Sequence, residues 1–296
     1  MRLRRLRTLG LRATRRWRAL PVDPYERIVA AVAGRPETPI PRVVHQIWLG
    51  PEPPPRYTME SCRRATPDWL HVVWTDDNLP PMTNRAVFDA FESAYHAKAD
   101  ILRYEVLYRF GGVYVDADQL CLRSLDDLLG PDVAFFAGYQ NLGNPELDDE
   151  LRRAPLIANG VIGAAPGHPI LERVIADVCA RAGSNELPWI TVGPAALTRA
   201  IEATPVRAVV HPFHAFYPYH YTEFIPADPQ EMLKAIHYRS HCVSLWGTTL
   251  DSYARCRRAA GRSLSVTPST GTSREFAASH PTLAATVYHG RPPDAP

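Results

Sequence analysis

The run "ILRYEVLYRFGGVYVDADQL", residues 101–120, constrains the fold more than any other stretch. Leu102, Val106 and Phe110 fall at i, i+4 and i+8, one apolar stripe that predicts a helix. Gly111-Gly112 stops that helix, and "VYVDADQL" reads as the strand that follows. A tight turn of two glycines lays the helix alongside the strand it feeds. Alternate side chains of a strand share a face, so Tyr114, Asp116 and Asp118 are expected on one side and Val113, Val115 and Ala117 on the other. Two carboxylates on one face repel unless a positive charge sits between them or one takes a proton. A hard divalent cation is the obvious partner, and a cation held by only one or two carboxylates keeps positions open for phosphate oxygens. A bare D-x-D is also a common solvated strand end, so its neighbours must decide.

The first neighbours are Asp100 and Arg103, three apart on one face of the preceding helix. They read either as a surface ion pair or as a sugar-binding pair, Asp100 accepting from hydroxyls and Arg103 supplying fixed charge and donors. The second neighbours lie far along the chain in "HCVSLW", residues 241–246. His241 is a candidate third metal ligand, Ser244 a donor to phosphate oxygen, and Trp246 an indole donor beside an apolar plate.

Around this centre, "RVVHQIWLG" (42–50), "HVVWT" (71–75), "DVAFFAGY" (132–139) and "LIANGVIGAA" (156–165) read as strands. Residues 84–110, 168–182 and 194–203 read as helices, while "VRAVVHPF" and "LKAIHYR" read as extended. Strands alternating with helices predict an α/β layer structure. No GxGxxG follows the first strand, so a dinucleotide cradle is not expected. The polar loop 140–155 and the aromatic stretch "HPFHAFYPYHYTEF" are candidate acceptor contacts, the latter equally readable as packed core.

Composition sets outer limits. With 46% hydrophobic and 22% charged residues, the chain reads as an ordinary soluble protein, and no apolar run is long enough to span a bilayer. Eight arginines and no acid fall in the first 20 residues, leaving 25 basic against 31 acidic residues elsewhere. A uniformly basic nucleic-acid surface is therefore not expected. The leader reads as a solvated tail or as an amphipathic helix on an anionic membrane, with Leu3, Leu6, Leu9 and Trp17 dipping in. Arginines interrupt its apolar stretches, so it does not read as a secretory signal. The five scattered cysteines show no CxxC pair and indicate neither a zinc site nor a disulfide framework, in keeping with a reducing, cytoplasmic setting.

"IPRVVHQIWLG", "TPDWLHVVWTDDN", "AKADILRYEVLYRFGGVYVDADQLCLRSL", "IANGVIGAAPGHPIL", "TVGPAALT" and "HCVSLW" occur in one order. This series resembles the DXD-containing sugar transferases related to the yeast initiating α-1,6-mannosyltransferase and to capsular polysaccharide transferases (glycosyltransferase family 32), and more distantly the clostridial glucosylating toxins. The resemblance spans roughly residues 38–250 and is most specific from Ala99 to Asp118. It implies a GT-A fold, a UDP- or GDP-hexose donor, Mn²⁺ or Mg²⁺, retention at the anomeric carbon, a glycan, lipid-linked or small-molecule acceptor, and a place in capsule or cell-surface polysaccharide synthesis. Composition sets off a basic leader over 1–37 and a partly flexible extension over 257–296, and between them the resemblance implies a catalytic domain over 38–256. By resemblance, Trp48 stacks on the base, Asp100 and Arg103 hold the donor sugar, and Asn159 lies on the sugar side. Tyr114 and Asp116 approach ribose and diphosphate, Asp116 also facing the metal. Asp118 is the direct metal ligand. His241, Ser244 and Trp246 close over metal and diphosphate. Leu245 separates Ser244 from Trp246, a spacing nearer the toxins, which leaves His237 a rival to His241. A metal-dependent phosphohydrolase and an inactive nucleotide-sugar-binding module remain alternative readings.

Overall fold

The computed structural model describes residues 38–141, 156–220, 236, 239–247 and 286–288, the last three by backbone alone. Its core is a seven-stranded mixed sheet. The strands are β1 (Val43–Ile47), β2 (Leu70–Trp74), β3 (Gly112–Val115), β5 (Phe135–Tyr139), β6 (Ile157–Ala164), β7 (Ala208–His211) and β9 (Thr286–Tyr288), in the order β2-β1-β3-β6-β5-β7-β9. β1 runs parallel to β2 and β3, and β6 runs antiparallel to both β3 and β5. A small second sheet pairs β4 (Gln119–Cys121) with β8 (Cys242–Ser244). The helices are α1 (Arg56–Ala65), α2 (Arg85–Ala90), α3 (Tyr95–Phe110), α4 (Pro169–Ala180), α5 (Pro188–Thr191) and α6 (Pro194–Ala203). The α/β class read from the sequence is the class observed. Among the described residues, no helix is long and apolar enough to cross a membrane.

The larger core cluster lies between the sheet and α3, α4 and α6, with Val43, Ile47, Trp74, Leu102, Val106, Phe110, Ile162, Val174 and Leu197 buried in it. The opposite face carries Val44, Val113, Val115, Phe136, Val161 and Phe216. Strand residues of alternating parity therefore fill both faces, and the sheet is covered on both sides.

Two glycines make the turn that positions everything else. Gly111 (φ 63°) ends α3, and Gly112 (φ 103°) begins β3. Both occupy the left-handed half of backbone space, where a Cβ is strained. A Cβ on Gly112 would also lie 2.6 Å from the Val43 carbonyl oxygen. His45 fixes the turn from the neighbouring strand. Trp74 Nε1 donates to His45 Nδ1 (3.1 Å), so the proton is on Nε2, which donates to the Gly111 carbonyl (2.8 Å).

Burial holds the His45 imidazole down to about 4, against an ordinary value of 6.5. The unfolded chain thus takes up the proton first. His45 contributes its full stability above pH 6.5 and loses roughly 3 kcal/mol as the pH falls through 4. Asp100 and Asp118, raised by burial to about 6 and about 7, act in the opposite direction. The contribution is therefore read as a difference. In urea denaturation, the stability advantage of wild type over His45→Gln should shrink by roughly 3 kcal/mol between pH 7 and pH 4.

Three expectations change. "VYVDADQL" is not one strand: β3 ends at Val115, residues 116–118 turn, and Gln119 N–H closes the turn on the Asp116 carbonyl (3.0 Å) before β4 begins. The cysteines are not all apart: Cys62 and Cys121 form a disulfide across 59 residues, and Cys242 Sγ lies 3.7 Å from Cys121 Sγ. The pairing arises because α1 packs on β4, a contact that spacing along the chain does not show. Finally, residues beyond 256 add an edge strand, with β9 antiparallel to β7. The extended reading of "LKAIHYR" falls largely outside the described residues.

Candidate functional site

The site forms where β3 ends and α3 begins its run alongside. α3 is antiparallel to β3, so its first turns stand over the strand's C-terminal end. Asp100 and Arg103 project from there toward the sheet. Arg103 Nη2 meets Asp100 Oδ1 at 2.8 Å, and Nη1 meets Asp116 Oδ1 at 3.2 Å. Nη1 also donates to the Asn159 carbonyl (2.7 Å) and Nε to the Ala99 carbonyl (3.2 Å). The guanidinium lies 4.5 Å from the centre of the Tyr114 ring, and its side chain is 5% exposed. This is a buried ion pair with its donors engaged, not a surface pair.

The partners are fixed in turn. Asn159, on β6, donates through Nδ2 to Asp100 Oδ1 (2.9 Å) and to Tyr104 Oη (3.0 Å). Tyr104 donates to the Gly193 carbonyl (3.2 Å), which ties the "TVGPAALT" segment to the same network. Tyr114 donates to Asp116 Oδ1 at 2.6 Å. Tyr114 and Asp116 therefore do meet, as the alternation predicts. Asp118 does not stay with them. The turn aims it at the segment after β8, where Gly247 N–H donates to Asp118 Oδ2 (2.6 Å) and Leu245 N–H to the Asp118 carbonyl (3.2 Å).

Charge at this centre is unbalanced. Three carboxylates, Asp100, Asp116 and Asp118, face one ion-paired cation, Arg103, among the described residues. Burial, followed by the neighbouring Asp116 charge, pushes Asp118 up to about 7. Burial raises Asp100 to about 6 despite Arg103 beside it. Burial opposes the Arg103 charge, but Asp116, Tyr114 and Asp100 outweigh it and hold the guanidinium protonated. The surplus negative charge fits a divalent cation. Among the described residues no group of three or more His, Cys, Asp or Glu side chains is placed to hold one. A cation bound at Asp116 and Asp118 would thus keep coordination positions for ligand oxygens.

Trp48 follows β1 and packs with Met59, Val73 and Ala117, the residue between the two aspartates. It is placed beside the turn. Ser244 lies in register with Gln119, next to Asp118. Trp246 (φ 51°) donates its indole N–H to the Tyr219 carbonyl (2.9 Å), so that donor is engaged in the protein.

His241 is the expectation the structure corrects. The β4–β8 register sets Gln119 against Ser244, and Leu122 N–H bonds to the His241 carbonyl. His241 is therefore carried past the far end of β4 from Asp118, and its Nδ1 faces the Ser124 carbonyl (3.0 Å). It does not join Asp116 and Asp118. His237, its rival, lies outside the described residues.

Tyr104, Gly160 and Tyr217 belong to the site and were not singled out by sequence. Tyr104 sits four residues after Asp100 on the same helix face, a legible signal. Gly160 carried none, and Tyr217 stood only within the aromatic stretch read as acceptor contact or packed core.

Residues 55–135 match the family described as glycosyltransferase sugar-binding region containing DXD motif. The match runs from α1 to the first residue of β5 and includes Asp100, Arg103, Asp116 and Asp118. The chain is similar to inositol phosphoceramide mannosyltransferase 3 of Schizosaccharomyces pombe, 30% identical over 161 residues, which are 52% of this chain and 41% of that protein. It is similar to the initiation-specific alpha-1,6-mannosyltransferase of Saccharomyces cerevisiae, 24% identical over 192 residues, covering 49% of this chain and 40% of that one. The chain thus spans about two fifths of the length of these relatives. Among solved structures, the PaToxG glycosyltransferase aligns with a TM-score of 0.46 at 18% identity, covering 60% of this chain and 74% of that chain.

Proposed function

We propose that this chain is a metal-dependent, retaining glycosyltransferase with a GT-A-type sheet, moving a hexose from a nucleoside-diphosphate sugar to a glycan or lipid-linked acceptor. One observation carries the reading. Within the segment that matches a DXD sugar-binding region, an Asp100–Arg103–Asp116 network centred on the buried Arg103 stands beside Asp118, with more negative charge than its arginine balances. The names of the relatives favour mannose as the hexose and a lipid-linked acceptor over a capsule polysaccharide. The arginine-rich leader suits peripheral contact with an anionic membrane surface.

Each residue then has a task. Asp118, whose Oδ2 accepts from Gly247 N–H, would hold Mn²⁺ or Mg²⁺. Asp116, held by Tyr114 and Arg103, faces ribose and diphosphate. Trp48 stacks on the base. Asp100 accepts from sugar hydroxyls, while Asn159 and Arg103 keep it in place. The bound cation supplies charge neutralisation to the departing diphosphate. Asp100 orients the sugar, and the acceptor attacks on the face the diphosphate leaves, with the leaving phosphate taking the acceptor proton.

Calorimetric titration of UDP and GDP, with and without Mn²⁺, tests the reading. One nucleotide should bind only with metal present, and its hexose conjugate, GDP-mannose first, should be hydrolysed or transferred. Failure of every nucleoside diphosphate to bind in the presence of Mn²⁺ or Mg²⁺ refutes it.

A further inference from the structure

β6 carries an interruption beside the site. β5 meets it at Gly163 opposite Phe136 and again at Ala158 opposite Gly138, so residues 159–162 have no β5 partner. Phe216 and Tyr217 pack into that opening: a Cβ on Gly138 would lie 2.5 Å from Phe216 and 3.6 Å from Tyr217. Val161 N–H, which β5 leaves unpaired, donates to Tyr217 Oη at 2.8 Å. Tyr217 is 3% exposed. Burial foremost, and then the Asp116 charge, raise its phenol well above the ordinary value, so it keeps its proton. Because the oxygen already accepts from the backbone, that proton is free for a second partner.

The Asp116 charge acts on that proton through space, with no hydrogen bond between the two groups. Asp116 N–H bonds to the Gly160 carbonyl (2.8 Å), which seats the aspartate over Gly160. A Cβ on Gly160 would lie 2.5 Å from Asp116 Oδ2 and 3.1 Å from Tyr217 Oη. The two oxygens flank the same bare Cα, while Asp116 Oδ1 is occupied by Tyr114 and Arg103. The Tyr217 ring also lies 6.4 Å from the Trp246 ring, and the next residue, Gly247, holds Asp118.

We infer that Tyr217 is a positioning residue for both aspartates: its hydroxyl holds Val161 N–H and with it the β6 segment whose Gly160 carbonyl seats Asp116, and its ring backs the Trp246–Gly247 segment that holds Asp118. Gly160 is the small residue this packing requires. The inference rests on the proposed function for its consequence but not for its geometry.

The test uses the full chain and Mn²⁺ alone, followed by Mn²⁺ with UDP or GDP, read by calorimetry. Tyr217→Phe keeps the ring and removes the hydroxyl. It should weaken Mn²⁺ binding of the folded protein about tenfold and lower the metal-free melting temperature by a few degrees, because Val161 N–H loses its acceptor. Gly160→Ala, whose Cβ would crowd both Asp116 Oδ2 and Tyr217 Oη, should weaken Mn²⁺ binding at least as much. Wild-type Mn²⁺ affinity in Tyr217→Phe overturns the inference, and so does a wild-type chain that binds no Mn²⁺. Should Tyr217→Phe fail to fold, the Gly160→Ala affinity decides in the same way. Mn²⁺ binding that responds to Tyr217 while no nucleotide binds would sink the proposed function and leave the positioning role standing.

Discussion

Asp118→Asn should lower metal-dependent donor turnover about a thousandfold, close to 4 kcal/mol of transition-state stabilisation, without lowering the stability of the metal-free protein. The two halves have one cause. Asp118 is buried and stands near Asp116, and its carboxyl is pushed up to about 7 from an ordinary 3.8. Above pH 7 the folded chain therefore carries a charge that the unfolded chain bears more easily, and folding is weaker for it. Asparagine removes the charge yet keeps an oxygen to accept the Gly247 N–H now bonded to Oδ2. The melting temperature in chelator at pH 8 should match or exceed wild type, while Mn²⁺-dependent release of nucleoside diphosphate disappears. A variant that turns over donor like wild type ends the metal assignment. A variant that melts well below wild type shows that Asp118 serves the fold instead.

Readability from sequence followed locality. Asp100, Arg103, Gly111 and Gly112 were legible because helix spacing and a double-glycine stop fix their relation within a dozen residues. Asn159 was singled out only through resemblance, and its contact with Asp100 spans 59 residues. The turn at 116–118 was hidden because V-Y-V-D-A-D-Q-L keeps a strand's alternation through the break, and only the Asp116–Gln119 bond shows the chain turning. His241 was misplaced because its position depends on the β4–β8 register, a pairing across more than 120 residues that no local pattern encodes. The Cys62–Cys121 pairing was missed for the same reason. Tyr217 stood in an aromatic stretch readable as packed core or as sugar contact. It is buried like the first, and its hydroxyl reaches the site through the interruption in β6.

Replacing Arg103 separates the fold's need for charge from the site's need for shape. Arg103→Met fills the same space but leaves Asp100 and Asp116 facing each other without their cation. Removing one partner of a buried ion pair costs about 3–5 kcal/mol, and here two carboxylates are stranded at once. Arg103→Met should fall in that range by chemical denaturation at pH 7.5, and part of the loss should return near pH 5, where Asp100, already raised to about 6, takes a proton. Arg103→Lys keeps the charge, but one ammonium cannot span Asp100, Asp116 and the Asn159 carbonyl as the guanidinium does. The lysine variant should regain most of the lost stability yet remain about a hundredfold slower than wild type in donor turnover, the scale of a lost preorganised donor. Equal stability of the methionine variant and wild type at pH 7.5 would show that the network is not held by its charges. Full activity in the lysine variant would show that the fork geometry does not matter to the donor.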